Sequence, residues 1–244
     1  MDCSPPLHGL FVTGTDTGVG KTVVTEALVR LLRRQGHRVD VCKPVATGAR
    51  LVNGRWVSED TIKLAKAAGI EKDWEQLTRW AWPEPAAPPV AARRAGQAVT
   101  LADIVAEVRR RGREDELLLV EGVGGLLCPL TDTETVADLA AALVLPLIVV
   151  TRRSLGTLNH TLLTLEAAAH RGMHVAGVVV NETAPPQGLA DETNVNELRR
   201  RITVPILAVV PHQLHPPIDV LPALAAVDWR RLCLPKERDS QWKL

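Results

Sequence analysis

Phe11-Val12-Thr13-Gly14-Thr15-Asp16-Thr17-Gly18-Val19-Gly20-Lys21-Thr22 is the stretch that decides how this chain is read. An apolar strand runs into a glycine-rich turn, and Gly-Lys-Thr stands where a helix begins. Such a turn aims consecutive backbone N–H groups at phosphate oxygens. Lys21 then reaches the outer phosphates, and the Thr22 hydroxyl a bound Mg²⁺. The spacing is a variant one: the usual loop has glycine five residues before Gly20, where Thr15 stands, and Gly14 lies one residue earlier. Context favours a phosphate loop over a structural glycine turn. Leu10–Thr13 reads as a buried strand, and Val24, Ala27, Leu28, Leu31 and Leu32 mark one helical face that stops at Gly36. A structural turn gives Lys21 no task. As a loop lysine, Lys21 is expected to be exposed and to pack against nothing in the core.

Around this stretch, the 244 residues suffice for one large α/β core, and a single domain over 1–244 is expected, with a flexible tail from about 230. The net charge of +1 provides no global field toward nucleic acid or anionic lipid. Arg109-Arg110-Arg111 and Arg199-Arg200-Arg201 read as solvated helix ends. Cys3, Cys42, Cys128 and Cys233 show no metal-ligand spacing, which fits a reducing cytoplasm. Met1–Pro6 lacks the basic and apolar regions of a signal peptide, and no apolar run reaches the ~18 residues a membrane span needs.

Apolar β-rich runs alternate with helical patterns, which predicts a three-layer, doubly wound, mainly parallel sheet. The strands expected are Leu10–Thr13, Val39–Cys42, Leu117–Val120, Leu147–Val150, Val175–Val180 and Ile206–Val210. The helices expected are Thr22–Gln35, Thr61–Ala68, Leu101–Arg110, Val136–Leu143, Leu158–His170 and Asn194–Arg201. Asn53-Gly54 predicts a tight hairpin between strand two and the next helix. The prolines of 80–89 argue against any regular helix or central strand there, while Trp80 and Trp82 favour an ordered loop over the sheet edge.

Open α/β sheets bind ligands at the carboxyl ends of their strands. There this chain delivers the phosphate loop, Lys43-Pro44-Val45-Ala46-Thr47-Gly48, Glu121-Gly122-Val123-Gly124-Gly125, Leu155-Gly156-Thr157-Leu158-Asn159-His160, Asn181 and Pro211-His212. Lys43 is either a solvated strand-end lysine or a rigid cation facing developing negative charge. Glu121 stands where an acidic residue organises Mg²⁺ in phosphate-loop enzymes. Asp60 is either a helix N-cap, shared with Ser58, or a further Mg²⁺ ligand. His160 reads as structural in preference to a catalytic base.

In this order, the loop, the lysine-proline segment, the Glu-Gly-Val-Gly-Gly segment and Leu-Gly-Thr-Leu-Asn-His resemble dethiobiotin synthetase, from about residue 9 to about 213. The resemblance implies a phosphate-loop ATPase fold. It further implies an ATP- and Mg²⁺-dependent cyclo-ligase that joins CO₂ to 7,8-diaminononanoate and closes a cyclic urea. By the same resemblance Lys21, Lys43 and Thr17 are catalytic, and Thr22, Asp60 and Glu121 match the metal positions. Gly18, Val19, Gly20, Lys21, Thr22, Val23, Asp60, Glu121, Gly122, Val123, Gly124, Asn181, Glu182, Pro211, His212 and Gln213 match the nucleotide site. Thr47, Leu155, Gly156, Thr157 and Asn159 match the substrate site; the last four come from a neighbouring subunit, which implies a homodimer in the cytoplasm.

Three positions depart from the family: Gly18 replaces a glutamate of some relatives, His212 replaces a tryptophan, and a tyrosine contact to the substrate tail has no counterpart in a chain without tyrosine. The alternative is a partition or cell-division switch ATPase on the same sheet. That group carries a lysine five residues before the loop lysine, where this chain has Asp16. An ATP-dependent amidase would need a glutaminase domain for which 244 residues leave no room. A non-catalytic binding module leaves Lys43 and Glu121 unexplained.

Overall fold

Leu10 and Val12 point to one side of the first strand and Phe11 to the other, and all three are completely buried. A strand buried on both faces belongs at the centre of a layered sheet. The computed structural model, which describes residues 7–212 and 221–234, shows that arrangement. The elements in order are β1 (Gly9–Gly14), α1 (Lys21–Arg34), β2 (Val39–Cys42), β3 (Val45–Ala46), β4 (Arg50–Val52), β5 (Arg55–Val57) and α2 (Glu59–Ala68). After a 3-10 turn, Glu71–Gln76, come β6 (Trp80–Ala81), α3 (Pro88–Arg94), α4 (Leu101–Arg111), β7 (Leu117–Glu121) and α5 (Val136–Leu143). The chain continues with β8 (Leu147–Arg152), α6 (Thr157–His170), β9 (Val175–Asn181), α7 (Leu189–Arg201), β10 (Ile206–Val210), α8 (Leu221–Leu224) and α9 (Trp229–Leu232).

The main sheet has the order β10-β9-β8-β1-β7-β2, with every pair parallel. The chain leaves β1 toward β2 on one side and later crosses to β8 on the other. β1 is therefore the switch point where a crevice opens at the strand ends. One face packs on α1, α2, α8 and α9 through Leu28, Leu32, Leu64 and Trp229. The other packs on α3, α4 and α5, through residues such as Ala91, Ile104 and Leu139. Each fully buried Leu or Phe contributes about 2 kcal/mol of apolar burial.

All six expected strands occur, and the hairpin at Asn53-Gly54 pairs β4 with β5. Three expectations are corrected. α3 begins at Pro88, inside the stretch expected to resist helix; proline is tolerated at a helix start because an N–H there has no intrahelical partner. α7 begins at Leu189, five residues before the expected Asn194. The tail is packed as far as Cys233: Trp229 Nε1 donates to the Leu224 carbonyl at 2.7 Å, and the Gly9 N–H donates to the Cys233 carbonyl at 2.8 Å. The loop around Trp82 is ordered as expected, with the ring buried and Nε1 donating to Gln97 Oε1 at 2.9 Å. Among the described residues no helix is long and apolar enough to cross a membrane.

Candidate active site

The phosphate loop leaves β1 at the switch point and turns into α1 through Gly20, whose φ of +92° lies in the left-handed region. A Cβ there would sit 2.0 Å from Asn181 Nδ2, so only glycine lets the loop close against β9. Asn181 is buried, and its Nδ2 donates to the Val19 carbonyl at 3.0 Å. No side chain caps α1 and its first turn carries no acid, which leaves the positive end of the helix dipole facing the loop.

Lys21 corrects the expectation of an exposed loop lysine: it is 7% exposed, and its Nζ donates to the Asp16 carbonyl at 3.1 Å. Burial, and then the nearby Lys43 charge, pulls its pKa below the usual lysine range. Such a cation is short of negative charge until an anion arrives.

Lys43 is 4% exposed, which removes the solvated-lysine reading. Its Nζ lies 2.7 Å from Glu121 Oε1 and 3.0 Å from Asp60 Oδ2. Burial acts to lower its pKa, but the Glu121 and Asp60 charges and their hydrogen bonds outweigh it and hold the ammonium above the usual range. For Asp60, burial acts upward and is outweighed by the Lys43 charge, which keeps the carboxyl below its ordinary 3.8. The capping alternative for Asp60 is resolved as well. Ser58 is the N-cap of α2, its Oγ accepting from the Thr61 N–H at 3.1 Å, so the Asp60 carboxylate is free to pair with Lys43.

Glu121 ends β7 with no exposure; Oε1 accepts from the Thr22 hydroxyl at 2.8 Å as well as from Lys43, whereas Oε2 is buried without a partner. An orphaned carboxylate oxygen beside Thr22 and Asp60 suits Mg²⁺, which takes hard oxygens from one or two carboxylates and completes its shell with water and phosphate. Among the described residues no cluster of three or more His, Cys, Asp and Glu forms a metal site without substrate.

Thr17 and Gly18 are exposed at the tip of the loop. Gly122, Val123 and Gly124 follow Glu121, and a Cβ at Gly124 would lie 3.8 Å from Thr17 Oγ1, so the two turns abut. Val23 and Thr47 are half-buried, the latter just after β3. Pro211 is exposed and His212 half-buried after β10, while Gln213 lies outside the described residues.

Two assignments change character. Glu182 is engaged within the chain: Oε1 pairs with Arg153, and Oε2 accepts from the His212 N–H at 3.1 Å. It positions the segment after β10. Thr157 likewise turns inward, its hydroxyl 2.6 Å from Thr151 Oγ1 and its N–H donating to the Ser154 carbonyl at 3.1 Å. Leu155 is 86% exposed, and Asn159 is also exposed. The reading of strand ends missed Arg152, whose Nη2 lies 2.6 Å from Asp16 Oδ2, and Arg153. Both follow the apolar run of β8 directly, so the strand-end rule applied to the whole of β8 finds them.

The family model described as an AAA domain matches residues 8–215. A protein of Anaeromyxobacter dehalogenans (strain 2CP-C), named ATP-dependent dethiobiotin synthetase BioD, is 44% identical over 84% of this chain and 90% of its own length. This chain belongs to the dethiobiotin synthetase family. Relatives with the same name from Aromatoleum aromaticum and Bacillus velezensis are 42% and 37% identical, covering 83% and 86% of this chain and 89% and 88% of their own. Among solved structures, the MinC:MinD cell division protein complex of Aquifex aeolicus has a TM-score of 0.50 at 13% identity, covering 95% of this chain and 98% of that one. It shares the fold alone. Membership in the family favours an ATP-dependent ligase over the switch ATPase.

Proposed function

We propose that the protein makes dethiobiotin from 7,8-diaminononanoate, CO₂ and ATP with Mg²⁺, through the residues gathered at the carboxyl edge of β1, β2 and β7. The observation that carries the reading is the contact of the buried Lys43 with Glu121 and Asp60, beside an orphaned Glu121 oxygen and a buried Lys21 whose pKa is lowered. A surface-charge or binding-module reading leaves that cluster without a purpose.

In the reaction one amine of the substrate adds to CO₂ and loses a proton, giving a carbamate. A carbamate oxygen attacks the γ-phosphorus of ATP, and ADP leaves. The second amine then attacks the carbonyl carbon of the mixed anhydride, phosphate departs, and the ureido ring closes. Lys21 holds the β- and γ-phosphates and follows the transferring group. Lys43 neutralises the carbamate and the anhydride formed from it. Thr17 and Thr47 face the diamine or its carbamate. Thr22, Asp60 and Glu121 would hold Mg²⁺, which would supply positive charge against the negative charge of the nucleotide phosphates. The uncapped start of α1 and the backbone of 18–20 cradle the phosphates. Asn181 contacts the base through the part of its amide that the Val19 carbonyl does not use, and Pro211 and His212 line the base and ribose.

Gly156, half-buried, and Asn159, exposed, at the start of α6, receive the substrate carboxylate. They act on the site of a second copy, so the working unit is a homodimer. The location is cytoplasmic. The test is direct: purified protein with bicarbonate, ATP, Mg²⁺ and the diamine should yield a product of dethiobiotin mass with ADP and phosphate. ATP hydrolysis without that product would overturn the reading.

A further inference from the structure

We propose that Lys43 is the resident cation of the metal site, holding Glu121 and Asp60 together in the nucleotide-free enzyme and freed for the substrate anion only when Mg²⁺ loads with nucleotide. This role rests on the proposed function and its assignment of Thr22, Asp60 and Glu121 to the cation. The Lys43 ammonium touches both carboxylates of that set, at 2.7 and 3.0 Å. It shares Glu121 Oε1 with the Thr22 hydroxyl. All three oxygen groups of the metal set are thus tied into one network centred on a lysine.

Both carboxylates lie within 3.0 Å of the Lys43 ammonium, and Glu121 is fully buried, so the negative charge gathered there needs a cation close by. Lys43 supplies that charge. An ammonium and a divalent ion compete for the same lone pairs, and the divalent ion brings twice the charge. While Lys43 serves the carboxylates, its charge is committed and unavailable to a carbamate. Once the carboxylates have another cation, Lys43 is a buried ammonium without a partner and is drawn to the nearest anion. Metal-nucleotide loading and anion binding at Lys43 are therefore positively coupled, and by linkage each strengthens the other.

Mn²⁺ binding to the nucleotide-free protein, followed by loss of the free-ion paramagnetic resonance signal, tests the competition. Wild type should bind Mn²⁺ weakly, and Lys43→Met should bind it about tenfold more tightly or better, the scale of removing a contacting charge. Lys21→Met is the control for long-range field, because Lys21 Nζ donates to the Asp16 carbonyl and touches neither carboxylate. Its gain should be distinctly smaller. Equal gains in the two variants, or a wild-type site as tight without nucleotide as with it, would overturn the proposal.

Should Lys43→Met fold poorly, Lys43→Gln keeps an N–H donor for Glu121, and melting with and without Mn²⁺ reads the same competition. Mn²⁺ should raise the Tm of the variant and leave wild type unmoved; equal shifts count against the idea. Glu121→Gln separates the metal assignment from the part given to Lys43. Unchanged Mn²⁺–ATP affinity in that variant would remove the metal assignment itself. Weakened affinity there, with Lys43 variants like wild type, would remove the lysine's role alone.

Discussion

The cluster around Lys43 and the start of α6 both follow carboxyl ends of strands in one sheet, yet they are built in opposite ways. Lys43 is 4% exposed and bonded on two sides, whereas Leu155 is 86% exposed. In the cluster, selectivity comes from charges whose partners are fixed at burial, in surroundings where each charge weighs heavily. At α6 it comes from a helix start with a left-handed Gly156 and no side-chain cap, offered to solvent. The difference teaches what a single chain can complete by itself. Under the proposed function, the phosphoryl-transfer end is built from the side chains of one chain, and the α6 end serves the site of a second copy.

The sharpest way to break this contrast is Lys21→Met. Turnover should fall by about 10³-fold or more, since the charge that follows the phosphoryl group is gone. Stability should be equal or higher, because folding desolvates this ammonium and lowers its pKa. Steady-state assays and thermal melts check both halves; a large loss of Tm would mean Lys21 is a structural residue.

Lys43→Gln should lower kcat by about 10²-fold while weakening a non-hydrolysable ATP analogue less than the Lys21 variant does. Kinetics with the diamine, paired with calorimetric titration, would expose a wrong assignment through an unchanged kcat. Glu121→Gln comes next. It should raise the Mg²⁺ concentration needed for half-maximal rate by about tenfold, as loss of a charged ligand predicts. Reduced thermal stability with an unaltered metal requirement would instead mark Glu121 as purely structural.

At the exposed end, Asn159→Ala should raise KM for the diamine by about tenfold with a nearly unchanged kcat, the size of one lost hydrogen bond to a charged group. Mixing it with the Lys21→Met chain tests the proposed sharing. A heterodimer has one site with both wild-type contributions, so activity at low diamine should exceed that of either variant alone. No gain on mixing would place the whole site within one chain.

The smallest effect expected is with pH. The Asp60 pKa is held low chiefly by Lys43 against the opposing pull of burial, so its pairing stabilises the native state above the unfolded value of 3.8. The stability deficit of Asp60→Asn should be full well above 3.8 and shrink as pH falls from there through the lowered native value. Urea titrations at several pH values would show it, and a deficit constant into acid would contradict the pairing.

Local pattern was enough for the sheet. Six apolar runs gave six parallel strands, and Asn53-Gly54 gave the hairpin, because side-chain periodicity and turn chemistry act over a few residues. It misled at Pro88, where the rule against proline holds for a helix interior and not for its first turn. The phosphate loop, Lys43 and Glu121 were legible because each directly ends or follows a strand, so strand order alone brings them to one edge.

What the sequence determined by itself was the set of chemical groups and the edge on which they gather. Tertiary structure decided their state. Nothing in the residues around Lys43 says that Asp60 and Glu121 lie within 3.0 Å of it, since that requires β2, β7 and the start of α2 to meet. Nor does the loop say that Lys21 is buried, or that both oxygens of Glu182 are already engaged. Burial and partner choice are set by segments scores of residues apart, and these fix the sign of each pKa shift and the groups left free for a ligand.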